Sequence, residues 1–114
     1  MSVVIDEATY RALEEAAGAD FVADLARTFL EEAPRMIEQM NAALAAGDAE
    51  TFRRAAHSLK SNSATFGALG LAQASRELEL SAAERVAGAD RAAVERLATD
   101  YAAVARDLQE RAGA

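Results

Sequence analysis

The stretch AGDAETFRRAAHSLKSNSATFG, Ala46 to Gly67, decides how this chain folds. Gly47 followed by Asp48 reads as the end of one helix and the N-cap of the next. Gly67 closes that next helix, which is expected over about Ala49 to Phe66. With Leu59 set at zero and roughly 100° added per residue, Phe52, Ala55, Ser63 and Phe66 fall within roughly 40° of it. His57, Ser61 and Ala64 fall at roughly 140–160°, and Lys60 and Arg53 at roughly 100–120°. One stripe therefore faces a core, and the imidazole of His57 faces away from it.

Glycine and aspartate signals divide the rest of the chain in the same way. A first helix is expected from about Glu7 to Ala17. Asp6 is its N-cap, Ile5 and Tyr10 are spaced as a hydrophobic staple, and Gly18 is its stop. A second runs from near Asp20 to Ala46 on Val22, Leu25, Phe29, Met36, Met40 and Leu44. Pro34 lies inside it and is expected to bend it, because the ring clashes with the Leu30 carbonyl. Leu30, Ala33 and Ile37 widen its apolar arc on one flank. Either the first helix covers that flank or part of it stays exposed for docking, and both remain open. A fourth helix is expected from Leu69 to Val86 on Leu71, Ala74, Leu78, Ala82 and Val86. Gly88 breaks it, and Asp90 caps a fifth carrying Val94, Leu97, Tyr101, Val104 and Leu108. The expected fold is all-α: an antiparallel four-helix bundle with a short additional N-terminal helix. One domain spans 1–114, with the bundle core over about 20–111.

Composition supports helices. Of 114 residues 52% are hydrophobic, much of that alanine, and only 5% are aromatic. There is no cysteine, which excludes disulfides, thiolate metal sites and thiol nucleophiles. No apolar run reaches membrane-spanning length and MSVVIDEATY lacks the regions of a signal peptide, so a cytoplasmic protein is expected. A net charge of −7 argues against nucleic acid as a partner. The charge is unevenly spread: Thr51 to Arg76 holds no acid but carries Arg53, Arg54, Lys60 and Arg76, which is +4 against −11 for the remainder. Such a patch can steer an acidic partner.

His57 is the only histidine and Lys60 the only lysine. A transition-metal site wants several nitrogen or sulfur ligands, and one histidine does not supply them. A di-iron bundle needs Glu-x-x-His, and position 54 is arginine. A Ser-His-Asp hydrolase needs an acidic orienting partner and a pocket, and no acid is near in sequence. Nucleophilic attack by the neutral ring remains, with Lys60 one turn away to neutralise phosphoryl oxygens. The small Ser61 and Ala64 would let another protein's active site reach the ring. A solvated histidine on a bundle that only binds partners fits the same residues, and periodicity leaves both readings open.

AAGDAETFRRAAHSLKSNSATFGALGLAQASRELE resembles the core of histidine-containing phosphotransfer domains. The matching positions are Gly47, Asp48, His57, Leu59, Lys60 and Gly67, with glycine ten residues beyond the histidine. TFLEEAPRMIEQMNAAL resembles the preceding helix of that family. The resemblance implies a phosphorelay intermediate in which His57 accepts a phosphoryl group from the aspartyl phosphate of one response-regulator receiver domain, such as that of a hybrid histidine kinase, and passes it to another. Lys60 would match the phosphate-facing lysine, and Glu79 the Glu or Gln that bonds the other ring nitrogen. Ser61 stands where the family usually has glycine. The implied docking face comprises Arg53, Arg54, Ser61 and Ala64, with Leu30 and Ile37 where exposed. No cofactor is expected on this chain, and magnesium is expected on the receiver. No ATP-binding domain is read, so the chain is expected to be a monomeric phosphotransfer protein without autokinase activity. A kinase dimerisation domain is disfavoured, because Ser58 stands where an acid would follow the histidine. The alternative is an interaction bundle with His57 incidental.

Overall fold

The computed structural model describes residues 4–113, and all its regular elements are helices. Residues 1–3 of MSVVIDEATY and Ala114 lie outside the described residues. In chain order the helices are α1 (Glu7–Ala17), α2 (Ala19–Ala46), α3 (Ala49–Thr65), α4 (Leu69–Leu80), α5 (Ala82–Ala87) and α6 (Arg91–Ala112). Helix α3 packs on α2 and α4, and α6 closes the ring against both. The result is a four-helix bundle in which α4 and α5 together form one stave.

Local chemistry accounts for the boundaries. Asp6, Asp48 and Asp90 each accept a hydrogen bond from a backbone N–H three residues on, at Thr9, Thr51 and Ala93. These bonds satisfy donors that a helix start would otherwise leave open. Ile5 and Tyr10 are both buried, as a staple requires. Helix α2 runs on through Pro34. Proline has no N–H, so the Leu30 carbonyl loses its helical partner, and the Tyr101 hydroxyl of α6 donates to that oxygen at 3.3 Å.

The expected fourth helix is divided. It ends at Leu80, and α5 begins after a single turn residue, Ser81. No glycine or proline marks the spot. The Ser81 hydroxyl donates to the Glu77 carbonyl at 2.7 Å, a back-bond of the kind that bends helices.

The turn from α3 to α4 is a Schellman motif. Ala68 N–H bonds the Ser63 carbonyl at 3.0 Å and Gly67 N–H bonds that of Ala64 at 3.0 Å. Gly67 has φ +82°, and a Cβ there would lie 2.9 Å from both the Asp6 carbonyl oxygen and the Thr9 Cβ. Its own carbonyl accepts from the Asp6 N–H at 2.8 Å, which latches the start of α1 to the end of α3. Gly67→Ala meets both a left-handed backbone and a backbone clash, so a loss of about 1–3 kcal/mol is expected. The urea midpoint checks it, and an unchanged midpoint would mean the latch contributes nothing.

The core stripe of α3 is as the periodicity requires: Phe52, Ala55, Leu59, Ser63 and Phe66 are all buried. Small buried residues, Ala56 and Ser63 on α3 and Ser75 on α4, line the most extensive helix pairing in the bundle. The two serine hydroxyls are satisfied within their own helices, by Leu59 and Leu71 carbonyls. At the far end Arg111 ties α6 to α1. It pairs with Asp107 and Glu7, and its guanidinium lies 5.1 Å from the centroid of the Tyr10 ring.

Candidate functional site

His57 stands on the outward face of α3 with 53% of its side chain exposed. Its Nδ1 lies 2.7 Å from Oε2 of Glu79, a residue of α4 that is 22 positions away in sequence. The other carboxylate oxygen of Glu79, Oε1, lies 2.9 Å from Lys60 Nζ. Glu79 is the best shielded of the three, with 13% of its side chain exposed. The hydrogen bond from Lys60 holds the Glu79 carboxyl below its usual pKa, burial opposes this, and the bond to His57 adds to the lowering. Glu79 is therefore an ionised acceptor at neutral pH. An acceptor without a proton can only receive one in a hydrogen bond, so Nδ1 of His57 carries the hydrogen. In the neutral ring the lone pair then resides on Nε2, which makes no hydrogen bond among the described residues.

The structure brings together His57, Lys60 and Glu79, and leaves Ser61 and Ala64 exposed on the turns beyond the histidine. The ammonium of Lys60 is engaged with Glu79 rather than standing free beside the ring. The basic window is likewise closed by acids just outside its ends. Glu50 accepts from Arg53 Nε at 3.1 Å and Nη2 at 2.5 Å, and its Oε1 lies 3.8 Å from Arg54 Nε.

Leu30 and Ile37 do not share the histidine's face. With Phe29 at zero, they lie at roughly +80 to +100° on α2, whereas Leu25, Glu32 and Gln39 lie at roughly −40 to −80°. Leu25, Glu32 and Gln39 line clefts against α3. The opposite flank turns towards α6, whose Tyr101 bonds the Leu30 carbonyl. Both side chains are half-buried, and Ile37 packs on the core.

Arg76 belongs to the basic window noted in the sequence, whereas nothing in that window or in the motif singles out Leu80. Leu80, next to Glu79, is a largely exposed leucine, and Arg76 is an exposed cation one turn earlier on α4. The signal for Leu80 was present: with Ser75 at zero it falls roughly 140° from the α4 core stripe. It was hidden by the surrounding alanines and leucines, which make the whole segment look apolar.

A helical bundle that presents an exposed imidazole, its tautomer set by a shielded carboxylate, has the form of a phosphoryl carrier. Comparison with known proteins bears on this directly. Residues 24–107 match the model of the Hpt domain. The chain is also similar to the crystal structure of histidine-containing phosphotransfer protein B (HptB) from Pseudomonas aeruginosa. The TM-score is 0.84 at 31% identity, over 97% of this chain and 96% of that one. No match was found among curated protein sequences. The chain belongs to the Hpt domain family, and its role is histidine phosphotransfer in a two-component phosphorelay.

Proposed function

We propose that His57 is the residue that carries the phosphoryl group, and that Nε2 is the atom. The observation that supports this is the bond between Nδ1 and Glu79, which leaves the outward nitrogen as the nucleophile. In the forward step the Nε2 lone pair forms the N–P bond as the P–O bond of a receiver's aspartyl phosphate breaks. The bonding electrons leave with the aspartate carboxylate. No proton has to be removed from Nε2, because none is there, and the positive charge that develops on the ring lies against Glu79. The reverse step returns the group to the aspartate of another receiver. The magnesium ion of this exchange comes with the receiver, and this chain supplies no ATP-dependent step. The test is incubation with a receiver domain carrying radiolabelled phosphate on its aspartate. Label should move to this chain and be acid-labile and base-stable, and failure to transfer would leave the bundle as a binding module only.

Lys60 has two tasks in this reading. It holds Glu79 at rest, and its ammonium is one turn from the ring where incoming phosphoryl oxygens would lie. Loss of one charge-assisted hydrogen bond costs about 1.5–3 kcal/mol, so Lys60→Ala should slow transfer by roughly tenfold or more. An unchanged rate and equilibrium would reduce Lys60 to a surface cation.

Arg53 and Arg54 steer. Although Glu50 offsets part of their charge, all three side chains are exposed, and exposed pairs of this kind exchange partners at little cost. Arg53→Glu or Arg54→Glu is expected to slow association with a receiver, most clearly at low ionic strength. Arg106→Glu, exposed on α6, is the control for net charge alone. Equal impairment by the control would place the docking face elsewhere.

A further inference from the structure

Beyond the histidine, the edge of α4 offers a surface that nothing in this bundle covers. Leu80 is 74% exposed and Leu69 is 53% exposed, two of the three large apolar side chains so exposed among the described residues. Their direction follows from helical geometry. With Ser75 at zero, Glu79 falls at roughly 40° on the side that meets α3, and Arg76, Leu69 and Leu80 at roughly 100–140° on that same side. Ala74 falls at roughly −100°, on the opposite side, where it lines the cleft against α6. The outer edge of α4 is thus continuous with the face that presents His57. Leu80 is also level with the histidine, since it is only about 1.5 Å along the axis from the residue that bonds Nδ1.

Charge indicates what this edge would meet. Of the four cations around the histidine, three already have carboxylates: Arg53 and Arg54, the latter on the side of α3 towards α2, share Glu50, and Lys60 has Glu79. Arg76 has no ion pair among the described residues, whose ion pairs all involve other side chains. The face as a whole is positive on a chain of net charge −7. An apolar contact beside an unengaged cation complements a partner that shows an apolar spot next to an acidic rim.

We infer that Arg76 and Leu80 determine which receiver domains this protein exchanges phosphate with. The inference rests on the phosphorelay reading and deepens it. Neither side chain bonds His57, Lys60 or Glu79, so both act on recognition and not on the nucleophile. Their removal should therefore change the receiver concentration needed for transfer and leave the chemistry alone.

The experiment uses the full chain, with Leu80→Ser and Arg76→Glu variants, against a panel of isolated receiver domains charged with radiolabelled acetyl phosphate. Phosphoramidate, a small donor that needs no protein docking, reports the competence of His57 separately. Loss of a buried leucine contact corresponds to about tenfold or more in affinity. The expected result is a KM raised by about that factor for some receivers, with the saturating rate and phosphoramidate labelling unchanged. The rank order across the panel should also shift. Unchanged KM values for every receiver would overturn the inference while leaving the relay reading intact. A uniform fall that includes phosphoramidate labelling would overturn it too, by showing that the substitutions disturb the site itself. Wild-type protein that takes label from phosphoramidate but from no receiver would overturn the relay reading, and the inference with it.

Discussion

His57→Gln is expected to abolish phosphorylation outright, from charged receivers and from phosphoramidate alike. The chain has no second histidine to substitute for it. Helicity and melting should be unchanged within about 0.5 kcal/mol, because the ring is exposed and outside the core. Glutamine also keeps a polar group within reach of Glu79. Acid-labile, base-stable label that persists on the variant would show that another residue is the acceptor. A large drop in melting temperature would mean that the Glu79 contact is part of what holds α3 to α4.

The second large effect is expected at Glu79, which acts through His57. Glu79→Ala removes the acceptor that keeps the proton on Nδ1, and it also strands Lys60 without its carboxylate. Transfer should slow by roughly tenfold or more, the cost of one charged hydrogen bond. Glu79→Gln keeps an acceptor oxygen for Nδ1–H while removing the charge, and should retain much of the rate. The ring-nitrogen NMR shifts give a readout that a merely structural role would not move. They should report the Nδ1–H tautomer in the wild type and in Glu79→Gln, and a mixture in Glu79→Ala. A single tautomer in all three would remove Glu79 from the mechanism. Its lowered pKa also has a consequence for stability. A carboxylate whose folded pKa lies below its ordinary 4.5 contributes fully above that value, and the contribution is lost as pH falls through the lowered one. Glu79→Gln should therefore flatten part of the acid limb of a stability–pH curve and leave the neutral region parallel.

Much of this was legible in one dimension. Caps at Asp6, Asp48 and Asp90, stops at Gly18 and Gly47, and the buried stripe of α3 follow from local rules, because a helix is built of contacts three and four residues apart. The outward direction of His57 follows from the same periodicity. Resemblance to a family, not spacing, pointed to Glu79. Periodicity has no way to relate residues 22 apart across a turn, and it left both the relay and a bland bundle open. Only the packing of α3 on α4 sets the register that brings Glu79 to the ring and to Lys60.

The same limit explains what the sequence reading placed differently. The window without acids seemed uniformly basic, yet Glu50 and Glu79 reach in from beyond its ends, because neighbours in space are not neighbours in a count. The apolar flank with Leu30 and Ile37 was real, but its direction depends on which helix stands on each side of α2, and that side belongs to α6. The fourth helix divides at Ser81, where neither glycine nor proline signals a break. Sequence alone therefore determined the helices, their caps and the face each one buries, since these are settled within a few turns of chain. The tertiary structure decided which charges pair, which flank is exposed and what stands beside the histidine, since these depend on how separate helices meet.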